Sequence, residues 1–208
     1  HQGRKHTMPS QLAVTARQAG RWDVVSAEWD HEVHAPLHWE DDGAALLFTA
    51  EQHGRSHLWR FDLADRRAEV VVAGGTLSSF DKAAGTLVTL ADTADHPARL
   101  TAHLPGEKPR RIESFNDKLL ASFDLGTHEE RWVTGAQGDK VQVWVFYPPG
   151  FDAKKKYPVM HAIHGGPHTA VGDNWHYRWN NPLFAAGGVA DKRAKGDHGH
   201  VVAVVNYH

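Results

Sequence analysis

Residues 157–180, Tyr157-Pro158-Val159-Met160-His161-Ala162-Ile163-His164-Gly165-Gly166-Pro167 continuing as His168-Thr169-Ala170-Val171-Gly172-Asp173-Asn174-Trp175-His176-Tyr177-Arg178-Trp179-Asn180, decide how the chain is read. Val159 to Ile163 reads as a short buried strand after a proline break. It runs directly into two glycines and a proline, which make a sharp turn with exposed backbone amides. In an α/β sheet such a turn lies at the carboxyl end of a strand, where these folds place their ligands. Unpaired N–H groups there suit a developing oxyanion.

Downstream of this stretch, Asn181 to Gly188 reads as a short helix with Pro182 in its first turn, a glycine stop, and Leu183 and Phe184 toward a sheet. Val201 to Val205 is fully apolar and β-branched, the pattern of a central parallel strand covered on both faces. The polar run between them, Ala190 to Gly199, is expected to be an exposed loop.

Upstream, Glu130 to Val133 and Val141 to Phe146 alternate around the turn 135–139 and form a hairpin. Residues 116–128 read as a hinge before it. From residue 11 to about 115 the chain reads as short strands separated by turns: Leu46-Leu47-Phe48 after Asp41-Asp42-Gly43, Leu58 to Phe61, and Val70 to Val72 before Gly74-Gly75. An internal repeat organises them. Gly43 to Leu47 aligns with Gly85 to Thr89, and Leu58-Trp59 with Leu100-Thr101, an offset of about 42 residues that matches a four-stranded propeller blade. Leu12 to Thr15 with Trp22 to Val25 reads as a partial earlier copy.

Composition narrows the classes. The chain has 208 residues, 41% hydrophobic and 23% charged, the balance of a globular protein. A formal net charge of −2 gives no field that would gather nucleic acid or an anionic membrane, and no apolar run approaches the roughly 20 residues of a bilayer span. Lys154-Lys155-Lys156 reads as a solvated turn. With no cysteine, disulfides, thiol catalysis and zinc–thiolate sites are excluded. The start, His1-Gln2-Gly3-Arg4-Lys5-His6, has neither an initiator methionine nor a signal-peptide pattern, so we expect an internal piece of a longer protein.

Four segments taken in order carry a family resemblance: His164-Gly165-Gly166-Pro167, Asp173-Asn174-Trp175-His176-Tyr177-Arg178-Trp179-Asn180, Phe184-Ala185-Ala186-Gly187, and Val201 to Tyr207 with its Asn206-Tyr207 end. Together they resemble the prolyl oligopeptidase family of serine peptidases, in its dipeptidyl peptidase V and acylaminoacyl peptidase branches. The resemblance implies C-terminal blades of an all-β propeller over residues 1–115, a hinge over 116–128, and the N-terminal half of an α/β-hydrolase domain over 129–208. The polar run 190–199 departs from the family, which goes straight from its short helix into the strand. A catalytic domain behind a propeller would admit short peptides rather than folded proteins.

The resemblance also implies a nucleophilic serine on a G-x-S-x-G elbow. None is present: Gly54-Arg55-Ser56 continues as His57-Leu58. The triad is expected beyond His208, and the chain alone is expected to be inactive. Its implied contribution is the oxyanion loop, through the backbone of Gly165 and Gly166, with His164 orienting that loop. His164, Trp175, Tyr177, Arg178 and Asn180 are the candidate substrate-binding residues, while Trp179 reads as packing. No cofactor is expected. The expected partners are a short peptide and the remaining part of the same protein, without nucleic acid or membrane; homo-oligomerisation and a periplasmic or cytoplasmic bacterial location stay open. The rival reading is a non-catalytic module that binds or scaffolds. A third is a metal-binding β-domain, because His31, His34 and His38 lie near Asp30 and Glu32; their spacing suits a helix, whereas Pro36 and nearby turn residues suggest a loop and strand.

Overall fold

The computed structural model describes residues 9–18, 20–165, 170–188 and 199–206. Strand is their main regular structure, with two α-helices of one turn each and a short 3-10 helix, Ala136–Gly138. The chain divides into two compact units, residues 1–91 with 100–111 and residues 92–99 with 112–208.

The first unit begins with an antiparallel pair, β1 (Ala13–Val14) and β2 (Asp23–Val24). Two four-stranded groups follow: β3 (His34–Trp39), β4 (Ala45–Gln52), β5 (Arg55–Asp62) and β6 (Arg67–Val72), then β7 (Thr76–Ala83), β8 (Thr86–Thr93), β9 (His96–His103) and β10 (Arg110–Arg111). They join in one sheet, ordered β10-β9-β8-β7-β5-β4-β3, with β6 also pairing β5. The second group repeats the first at the offset of about 42 residues read from the sequence. Gly43 and Gly85, aligned in the repeat, both hold positive φ, 70° and 76°; an L side chain would pay roughly 1–2 kcal/mol there.

β4 and β5 are buried on both faces. Leu46, Phe48 and Ala50 of β4 join Trp59 and Phe61 of β5 in one cluster with Leu12, Val25 and Val33. The alternate residues Leu47 and Leu58 turn to a second cluster with Leu77, Phe80 and Leu87. The period of two along a strand sends successive side chains to opposite cores. The Trp59 indole, buried in the first, donates to Ala50 O at 3.1 Å. Ser56 is buried within β5 and donates to Leu77 O at 3.0 Å, so it sits in a strand rather than on an elbow.

The second unit holds a one-turn helix α1 (Asp117–Leu120) and a four-stranded sheet of β11 (Thr127–Thr134), β12 (Lys140–Tyr147), β13 (Val159–Ala162) and β14 (Val201–Val205). The order is β11-β12-β14-β13. β12 pairs antiparallel with β11 and β14, whereas β13 and β14 are parallel, with Ala162 opposite Val204. Trp144, Phe146, Val202 and Val204 form its buried face with Ala94 and Ala185, and Met160, Ala162, Val171 and Phe184 pack against it.

Four sequence expectations change here. β13 is not buried: it is the last strand of its sheet, with Val159 69% and the following Ile163 81% exposed. β14 is central but mixed rather than parallel on both sides. It buries Val202 and Val204 on one face, while Val201, Ala203 and Val205 are only half-buried. The helix, α2 (Asn181–Ala185), turns Pro182 and Ala185 inward and leaves Leu183 partly exposed, because a single turn cannot bury adjacent bulky residues on one face. Most of the polar run 190–199 lies outside the described residues. Among them, no helix is long and apolar enough to cross a membrane.

Candidate functional site

The candidate site gathers at the carboxyl end of β13. Past Ala162 the chain leaves the sheet through Ile163, His164 and Gly165. His164 Nδ1 lies 3.4 Å from Gly165 O. No described atom beyond its chain neighbours lies within 4 Å of where a Cβ on Gly165 would stand. Gly166 and Pro167 lie outside the described residues.

The chain is described again from Ala170, and two residues fix it. Asn206, buried just past the end of β14, accepts from Val171 N through Oδ1 at 2.9 Å and donates to Val171 O through Nδ2 at 2.8 Å. The same Nδ2 donates to Gln142 Oε1 at 2.7 Å, and the Asn206 backbone N–H reaches Gln142 O at 2.9 Å. Gln142, also buried, donates on to Glu130 Oε1 at 2.9 Å.

Asp173 and Trp175 are tied to the turn 92–99 of the same unit. Asp173 Oδ1 accepts from Ala94 N at 2.8 Å, and Asp92 Oδ1 accepts from Trp175 N at 2.7 Å. Burial pushes the Asp92 carboxyl up, against the downward pull of the Trp175 amide. His128 stands between the two segments, with Nε2 3.5 Å from Asp173 Oδ1 and Nδ1 3.4 Å from Asp95 Oδ1. Its ring stacks on Phe146, centroids 5.5 Å apart, with Trp144 beyond at 6.0 Å. The Asp173 carboxylate and then the Asp95 carboxylate raise the imidazole to about 9 despite its burial, so it is cationic at neutral pH.

The aromatic segment divides. The Trp175 indole N–H is buried without a hydrogen-bond acceptor among the described residues, and its ring meets Tyr177 edge-on at 6.1 Å. Tyr177 is 84% exposed and Trp179 60%, so Trp179 is not the packing residue expected of it. Arg178 is exposed, with its guanidinium 5.4 Å from the Trp179 ring centroid. His176 Nδ1 accepts from Arg178 N and Trp179 N at 3.0 and 2.9 Å, which closes the local turn. Asn180 caps α2, its Oδ1 accepting from Leu183 N at 2.8 Å.

Thus Trp175 and Tyr177 come together, Arg178 pairs with Trp179, and Asn180 is engaged at the helix start. Among the described residues no group of three or more His, Asp or Glu side chains is arranged to hold a metal. His31 instead stacks on Trp59 at 5.7 Å, and His38 lies 3.2 Å from Asp81. Sequence reading missed His128 with Asp95, and Asn206 with Gln142; in each pair the partners are more than 30 residues apart, and no local pattern joins them.

No family model matches the chain. It is 32% identical over 189 residues to a probable dipeptidyl-peptidase 5 of Arthroderma benhamiae, and 30% identical over 190 residues to dipeptidyl-peptidase 5 of Arthroderma otae. Each match covers 88% of this chain and 24% of the relative. These relatives support the prolyl oligopeptidase family of peptidases for this stretch of sequence. Its fold is like that of the uncomplexed acylaminoacyl peptidase of Pyrococcus horikoshii, with a TM-score of 0.68 at 21% identity over 94% of this chain and 28% of that one. It is also like that of Porphyromonas gingivalis dipeptidyl peptidase 4, with a TM-score of 0.57 at 18% identity over 90% of this chain and 26% of that one. The chain therefore spans about a quarter of the length of the family relatives it matches.

Proposed function

We propose that these residues are part of a serine peptidase that releases dipeptides from short peptides, with the nucleophile supplied by chain outside the 208 residues. The two four-stranded groups are read as propeller blades: the first buries both faces of its middle strands, β4 and β5, as a blade between neighbours requires. The sheet β11-β12-β14-β13 is read as the first half of an α/β-hydrolase sheet, with the outer edge of β13 left for the strands that follow. The remaining part of the same protein is then its structural partner.

The observation that carries this reading is the position of His164 and Gly165. They leave β13 at its carboxyl end, beside the end of its parallel neighbour β14, where open α/β sheets bind ligands. The Gly165 amide, with that of Gly166 next to it in sequence, is assigned to the substrate carbonyl oxygen; one such donor is worth roughly 2.7–4 kcal/mol in the transition state. Exposed Tyr177 and Arg178 are assigned to the peptide, with Trp175 as a wall behind Tyr177 and His164 holding the turn. Asn180 acts on this segment through the helix it caps.

The test is hydrolysis by the full-length protein of two chromogenic anilides, a dipeptidyl one with a free amino terminus and an N-acetyl-aminoacyl one. The dipeptidyl substrate should be cleaved faster. Preference for the acetylated substrate would move the protein to acylaminoacyl release, and cleavage of neither would overturn the peptidase reading in favour of a binding module.

A further inference from the structure

Asn206 makes no hydrogen bond to Gly165, yet it lies between β13's partner strand and the chain at Val171. β13 is held by parallel pairing with β14, Ala162 opposite Val204, and Asn206 lies two residues further along β14's course. At Val171, six residues along the chain from Gly165, the Asn206 amide grips both the N–H and the C=O. Both of its Nδ2 hydrogens are used, one on Val171 O and one on Gln142 Oε1, and Gln142 is anchored in turn on Glu130. A buried amide satisfied at every position has one orientation available, so it transmits a fixed geometry rather than a soft one.

We propose that Asn206 is a positioning residue for the peptidase reaction: by clamping Val171, six residues along the chain from Gly165, it limits where Gly165 is presented. The proposal rests on the peptidase reading above. Its chemistry is specific. An aspartate of the same size would keep the acceptor for Val171 N, but would set carboxylate oxygen against both Val171 O and Gln142 Oε1.

The test compares Asn206→Asp with wild type in the full-length protein, reading kcat and KM on the dipeptidyl anilide and amide hydrogen exchange over residues 170–175. The variant should exchange faster over 170–175 and lose about 10²-fold in kcat, the scale of a misplacement near 1 Å, with KM within about twofold. Unchanged exchange would overturn the clamp. Faster exchange with unchanged kcat would overturn the positioning role. Should Asn206→Asp not fold, Gln142→Met removes the brace on the Asn206 amide together with the Gln142 bond to Glu130, and leaves both Asn206 bonds to Val171; a smaller fall in kcat at constant KM is then expected, and no fall in kcat per folded molecule would overturn the proposal. A wild type that hydrolyses nothing would defeat the peptidase reading and the positioning role with it, while the exchange data would still report on the clamp.

Discussion

His128 is a cation held between two carboxylates and against two aromatic rings, and its titration should be visible in stability. Its folded-state value, about 9, lies above the roughly 6.5 of an unfolded histidine. The stabilisation is therefore fully present below about pH 6.5 and is lost as pH rises through 9. Urea denaturation of wild type and His128→Gln should show wild type more stable by about 1–3 kcal/mol at pH 6. The difference should shrink to near zero above pH 9.5; a difference constant from pH 6 to 9.5 would mean that packing on Phe146, not charge, holds the ring. Gly165 invites the opposite test. An added Cβ meets no described atom beyond the chain neighbours within 4 Å, so Gly165→Ala should shift the melting temperature by no more than about 2 °C and any larger consequence should appear in kcat.

At the scale of elements, Gly126 decides whether β11 can pair with β12. Its φ is 69°, and an added Cβ would stand 2.0 Å from Tyr147 O, the backbone of the residue opposite Thr127. Gly126→Ala should cost at least about 2 kcal/mol, from the left-handed backbone and the displaced strand together, as read by denaturant midpoint. The strands themselves were legible because their signal is local: apolar runs at β4 and β5, the aligned glycines at 43 and 85, the alternation along β12. Two tight turns were less so. His53-Gly54 and Ala84-Gly85 both take positive φ at each central residue, the geometry of a hairpin turn, although neither pair is the usual Asn-Gly or Asp-Gly. The edge position of β13 was illegible for a deeper reason: Val159 to Ile163 is as apolar as a central strand, and exposure depends on which strand lies beside it. The site was half legible. Gly165 and Trp175 stand out in sequence, whereas the contacts that hold Val171, Asp173 and Trp175 come from residues 92–95, 128 and 206, which only the fold brings near.

At the scale of the whole molecule, the chain spans about a quarter of its relatives, and its open features fit a larger sheet. Only one side of β13 is occupied among the described residues, by β14. In the full-length protein a further strand should pair with the other side, so every β13 amide should exchange slowly; fast exchange at alternate residues of 159–162 would show the edge to be open. The central claim is that this stretch presents the oxyanion turn while the nucleophile lies elsewhere in the protein. Fluorophosphonate labelling of the full-length protein, followed by mass spectrometric mapping of the modified residue, tests it most directly. The account predicts a single labelled serine outside these 208 residues and none within them. A label on a serine inside them, such as buried Ser56, or no labelled serine at all, would contradict it.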